Sequence, residues 1–154
     1  MYIDINHASP LWEKTSHRII EQAVKIVVKS LKLPQMELSI LLADETKIKL
    51  LNQEFRERET STNVLSFPQH ELTVFKYDHL HENMLLGDIV FAYEIILQEA
   101  RQQSIAFEDH LTHLTIHGFL HILGFDHMTD EDALQMEQLE IKLLNQLNIQ
   151  NPYA

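Results

Sequence analysis

The segment HGFLHILGFDH, His117 to His127, constrains this 154-residue chain more than any other stretch. His117 and His121 stand four residues apart. On a helix that spacing is about 40° around the axis and about 6 Å along it, so both imidazoles leave one face toward one point. Gly124 is the residue type a chain uses to reverse after a helix end. A reversal there returns His127 to the same point as a third nitrogen. Three protein ligands leave the fourth position of a tetrahedral ion open, as a catalytic zinc requires, whereas a structural zinc takes four. A shuffled chain of this composition shows the pattern on the order of 10⁻³ times. The fold must therefore place a helix, a tight turn and a returning loop around one point.

The spacing matches the zinc-peptidase pattern H-E-x-x-H-x-x-G-x-x-H, except that Gly118 replaces the glutamate. Peptide hydrolysis needs that carboxylate to activate water and to carry its proton to a poor amine leaving group. Phosphodiester cleavage exchanges one oxygen for another. Its demand is to neutralise a growing negative charge, work that a Lewis-acidic metal and an arginine fork share. Gly118 either admits a nucleotide backbone beside the metal or allows close packing of the helix on a sheet. Asp126 reads as a turn former and Asp88 as a turn or cap residue. Ser66 reads as a plain solvent-facing strand residue, and no Ser-His-Asp spacing supports it as a nucleophile. His110 and His113 extend the histidine stripe, and His113 reads as a half-buried, satisfied histidine.

The chain has no cysteine, so histidine and carboxylates are the available metal ligands. No signal peptide or membrane span is visible, which predicts a cytoplasmic protein. The net charge of −11 runs against general nucleic-acid affinity. It is unevenly spread: residues 1–58 hold nine of the twelve basic side chains against eight acids, leaving −12 for the remainder. A bound polyanion is accordingly expected to approach the N-terminal third and the metal.

Nothing in the pattern suggests a linker or repeat, and residues 1–154 read as one domain. Strands are predicted at YIDIN, ELSILLAD, NVLSFP and GDIVFAY. Helices are predicted from Ser16, as a capping residue, to Pro34, then over TKIKLLNQEFRER, EIILQEARQQ, FEDHLTHLTIHGFLHILG and DEDALQMEQLEIKLLNQL. The order βαβαββααα gives an α+β fold, a small mixed β-sheet covered by helices with a zinc-site helix of metalloprotease-like H-x3-H-x5-H arrangement.

Together with LNQEFRERETSTNVLSFP (Leu51 to Pro68) and LLGDIVFAYEII (Leu85 to Ile96), the histidine segment resembles the YbeY family of bacterial rRNA maturation factors through most of the chain. The resemblance implies a single-strand-specific, zinc-dependent endoribonuclease acting in 16S rRNA 3′ end maturation and 70S ribosome quality control. It implies one Zn²⁺ per chain on His117, His121 and His127, with Arg56 and His117 catalytic. The implied partners are single-stranded RNA, small-subunit ribosomal RNA, and ribosomal or ribosome-assembly proteins, with no membrane. Asn63 stands where that family usually carries an aspartate, which removes a charge. The attacking oxygen is either water or the substrate's own 2′-hydroxyl. Two other readings fit the residues: a zinc peptidase or small-molecule hydrolase with its base at Asp126 or Glu108, and a non-catalytic ribosome-assembly factor whose metal organises the turn.

Overall fold

A computed structural model describes residues 1–56, 62–72 and 83–154, apart from the Arg56 side chain. The elements follow the predicted order: β1 (Tyr2–His7), α1 (Thr15–Leu31), β2 (Glu37–Ala43), α2 (Glu45–Arg56), β3 (Val64–Pro68), β4 (Leu85–Ala92), α3 (Tyr93–Gln103), α4 (Phe107–Ile122) and α5 (Asp130–Gln146). The four strands form one sheet in the order β1-β2-β4-β3. β1, β2 and β4 run parallel, and β3 is antiparallel to β4 at the edge. Among the described residues, no helix is long and apolar enough to cross a membrane.

Alternation along β2 sends Leu38, Ile40 and Leu42 to one face, where they meet Ile89 and Phe91 of β4, Ile20, Val24 and Val27 of α1, and Leu111 and Phe119 of α4. The opposite face carries a smaller cluster of Ala43, Ile48, Leu65, Val90 and Ala92, with α2 supplying Ile48. The apolar positions of α1 recur at the i, i+3, i+4, i+7 spacing that buries one helix face. α4 has no such polarity: residues from nearly every angle of it are buried. It is the central helix, packed against α1, α3, α5 and β3.

Two local expectations are corrected. Ser16 does not cap α1. The helix begins at Thr15 with Lys14 at its N-cap, no side chain caps it, and Ser16 is buried within the first turn. β4 begins at Leu85 rather than at Gly87, because the glycine sits where β4 has one more residue than β2 between Glu37 and Ser39. The extra residue lets both Leu86 and Ile89 face the large core. Glycine is required there, since a Cβ on Gly87 would lie 2.4 Å from the Phe67 carbonyl oxygen.

At Gly118 a Cβ would meet Ile89 Cγ2 and Ser66 Oγ at 3.2 Å each and Val64 Cγ2 at 3.4 Å. Of the two readings of Gly118, close packing of α4 on the sheet is the one observed. Gly87→Ala is expected to destabilise by about 2 kcal/mol or more, because main chain must move. Gly118→Ala is expected to cost about 1 kcal/mol or less, because the helix propensity gained by alanine offsets part of a side-chain adjustment. Urea denaturation of both variants checks the order; a Gly118→Ala loss larger than that of Gly87→Ala would contradict it.

Candidate metal centre

His117 and His121 leave α4 on its last turns, and the chain then reverses as the glycine suggested. Gly124 takes φ of 101°, its N–H donates to the His121 carbonyl at 3.1 Å, and the Phe125 N–H donates to the Leu120 carbonyl at 3.0 Å. Asp126 is the turn former: its Oδ1 accepts from the Met128 N–H at 3.1 Å. Thr129 caps α5 by accepting from the Asp132 N–H at 3.1 Å. Held between these two devices, His127 returns to the helix end. Ligand nitrogens of His117, His121 and His127 all lie within 4.8 Å of one another. The Nε2 atoms of His117 and His121 are 3.1 Å apart.

Behind His117 stands a residue that spacing did not reveal. Glu140, on α5, has no exposed surface, and its Oε1 accepts from His117 Nδ1 at 2.5 Å. That bond places the His117 proton on Nδ1 and leaves Nε2 as a lone pair directed at His121. His121 in turn hydrogen-bonds the Phe125 backbone. Two Nε2 atoms 3.1 Å apart either share a proton or hold a cation between them, and tetrahedral zinc spaces its nitrogens by about 3.3 Å. The donor set thus fits a metal ion, and these histidines could hold one. His113, Glu140 and His117 form a second close group. It is the hydrogen-bonded support of the first: Glu140 Oε2 bonds His113 Nε2 at 3.2 Å and accepts from the Tyr153 hydroxyl. His113 is therefore half-buried and satisfied.

Burial, followed by the charges of His117 and His127, lowers His121 from the ordinary 6.5 to about 4. Burial acts on Glu140 in the opposite sense and would raise it. Hydrogen bonds from His113, His117 and Tyr153, with the charge of His117, outweigh that and hold it at about 2. Burial and then Glu140 raise the Tyr153 hydroxyl. The site keeps its carboxylate charged and His121 neutral, the states that metal binding needs.

A cleft of about 400 Å³ opens over the histidines, lined by Thr62, Asn63, Val64, Ser66, Pro68, His117, His121 and His127. No carboxylate lines it among the described residues. Ser66 is corrected: its hydroxyl donates to the Gly118 carbonyl at 3.0 Å, tying β3 to α4. An alternating pattern tells which residues share a face but not which face a helix covers. The Asn63 amide donates to Glu99 Oε1 at 3.0 Å and Oε2 at 3.3 Å, and His110 Nε2 bonds Glu99 Oε1 at 2.9 Å. None of the described basic side chains of the N-terminal third lines the cleft. Arg56 is the last residue of α2, and its side chain lies outside the described residues. Asp126 is occupied in its turn, and Glu108 lies at the far end of α4 from the histidines. Glu140 was visible in one respect: it occupies the buried stripe Met136, Glu140, Leu143, Leu144, where an acid without a partner would be costly.

Glu140→Gln keeps the shape but replaces a carboxylate acceptor with an amide, and is expected to weaken metal affinity by about 10- to 100-fold. Competition against a chromophoric chelator measures it; unchanged affinity would remove Glu140 from the centre. Acid is expected to destabilise the metal-free protein. With His121 at about 4 when folded and 6.5 when unfolded, the unfolded chain takes up a proton first, so stability falls as pH drops from 6.5 toward 4. The stability from Glu140, fully present above its unfolded value of 4.5, is lost as pH falls toward 2. Urea midpoints in chelator at pH 7, 5 and 3 should decrease in that order, and a midpoint that rises on acidification would contradict both shifts.

The family model described as Endoribonuclease YbeY matches residues 3–148. A protein named Endoribonuclease YbeY from Bartonella henselae is 41% identical over 99% of this chain and 96% of its own length. One of the same name from Ruthia magnifica is 42% identical over 87% of this chain and 88% of its own length. The solution structure of TM1509 from Thermotoga maritima shares the fold, with a TM-score of 0.59 at 24% identity over 95% of this chain and 91% of that one. On the family match and these relatives together, the chain belongs to the endoribonuclease YbeY family.

Proposed function

We propose that this protein is a zinc-dependent endoribonuclease that cleaves single-stranded RNA, acting in the cytoplasm in 16S rRNA 3′ end maturation and 70S ribosome quality control. The observation that carries the chemistry is a three-histidine centre in a cleft whose described lining holds no carboxylate. Zinc on His117, His121 and His127 would supply Lewis acidity toward a phosphoryl oxygen. The chain's own residues do the rest. Glu140 holds His117 in the tautomer that presents Nε2, and His113 and Tyr153 hold Glu140. The Asp126 turn and the Thr129 cap fix where His127 returns. Arg56, which matches an arginine of the resembled family, is proposed to neutralise charge growing on the phosphoryl group. The peptidase reading lacks support, since its two candidate bases are a turn former and a residue at the opposite end of the helix. A cleft of this size suits a single strand, whose unstacked bases and backbone can enter it, better than a duplex, which is recognised by shape across its wide, shallow minor groove. The endoribonuclease name of relatives about 41% identical supports RNA as the substrate class.

The test separates a transition-state contact from simple attraction. Arg56→Lys is expected to fail almost as badly as Arg56→Ala, because lysine keeps the charge and loses the planar fork. Each should cost roughly 10²- to 10³-fold in single-turnover cleavage of a single-stranded RNA, with metal content unchanged. Full activity in Arg56→Ala would exclude it from the reaction. Cleavage of a peptide library in place of RNA would overturn the reading as a whole.

A further inference from the structure

We propose that Asn63 is a specificity residue of the cleft, whose side-chain oxygen accepts a hydrogen bond from a ribose 2′-hydroxyl of the bound strand; this rests on the RNA-cleaving reading above. The amide is oriented by its surroundings. Its Nδ2 lies 3.0 and 3.3 Å from the two carboxylate oxygens of Glu99, so the NH₂ end must face Glu99 and the oxygen must face away. Glu99 is fixed in turn by buried His110 at 2.9 Å. The main chain is fixed as well, because the Asn63 carbonyl accepts from the Ala92 N–H at 3.0 Å. What remains is one neutral acceptor, Oδ1, with no partner among the described residues, on a residue that lines the same cleft as the three histidines.

A lone acceptor selects a donor. Phosphate oxygens only accept, so the backbone charge of the strand cannot be its partner. A 2′-hydroxyl donates, occurs on every ribonucleotide and is absent from DNA. Bases also donate, through amino groups or through the N3–H of uracil and the N1–H of guanine, but these donors differ in kind and position from base to base, whereas the 2′-hydroxyl is the same on every ribonucleotide. The amide suits this place better than the aspartate of the resembled family in one respect: beside Glu99 a carboxylate would add like charge and an acceptor facing an acceptor.

The experiment uses the full chain supplied with Zn²⁺ and a single-stranded RNA of mapped cleavage position, in single turnover. The ribose on the 3′ side of the cleaved bond, whose 2′-hydroxyl is not the attacking group in either route, is replaced by 2′-deoxyribose. The wild type is expected to slow by roughly 3- to 10-fold. Asn63→Ala should be slowed similarly on the all-RNA strand and show no further loss on the deoxy strand. If the two losses multiply, Asn63 does not read that hydroxyl and the proposal falls. An inosine-for-guanosine strand at the same position serves as the base arm: a loss there that Asn63→Ala abolishes, with deoxy discrimination intact, also overturns it. Should Asn63→Ala not fold, Glu99→Gln replaces it, because a glutamine leaves the Asn63 amide free to flip; discrimination is expected to shrink, and unchanged discrimination counts against the proposal. A wild type that cleaves no RNA overturns the endoribonuclease reading, whereas multiplying losses sink the Asn63 assignment alone.

Discussion

A carboxylate with no exposed surface governs this structure. Glu140 is stable as an anion inside the protein only because His117, His113 and Tyr153 surround it with hydrogen-bond donors. Removing any one leaves a buried charge short of a partner, which is costlier than the bond itself. The arrangement therefore ties three distant parts of the chain to one another: the stripe on α4, the middle of α5 and Tyr153. It also reaches outward, since the bond to His117 Nδ1 decides which nitrogen faces the cleft. Packing and chemistry depend on the same oxygen atoms.

α4 serves both purposes because it has no solvent face to spend on charge. A helix buried on nearly all sides satisfies its polar side chains either on its own backbone or on the helices packed against it. Thr112 and Thr115 do so by donating to carbonyls one turn back, at 2.8 and 2.7 Å. Gly118 brings the sheet close enough for Ser66 to reach the helix backbone. In a peptidase of this spacing the same position carries the general base. Here it is an approach point between two elements, where a Cβ already touches Ile89, Ser66 and Val64 and a side chain as long as glutamate would have to push the sheet away.

The element order and the three histidines were legible because both are local. A hydrophobic period, a glycine after a helix and an i, i+4 histidine pair need no knowledge of the rest of the fold. The residues that support them were not, for reasons of distance. Glu140 lies 23 positions from His117 and Glu99 lies 36 from Asn63, so each pairing exists only once α5 and α3 have been placed against α4 and β3. Ser66 was misjudged because alternation fixes a strand's two faces without saying which a helix covers. The capping role given to Ser16 failed because the helix starts at Thr15 with Lys14 at its N-cap, which puts the serine inside the first turn, where it is buried. Glu140 carried a signal that went unread: an acid in line with Met136, Leu143 and Leu144 on one helix face is costly unless it has a partner.

The charge of the molecule limits how it can meet RNA. A net charge of −11 repels a polyanion at long range, and the cleft lining adds no described carboxylate and no described basic side chain to alter that. At physiological salt the repulsion is screened beyond about 8 Å, so it slows approach without preventing contact. On the proposed reading, affinity comes from within the screening distance: a cation that His117, His121 and His127 could hold, the arginine proposed beside it, and short hydrogen bonds from fixed groups such as the Asn63 amide. A site built as proposed would have little general affinity for RNA and would gain selectivity from it, because strands that do not fit the cleft would experience only the repulsion.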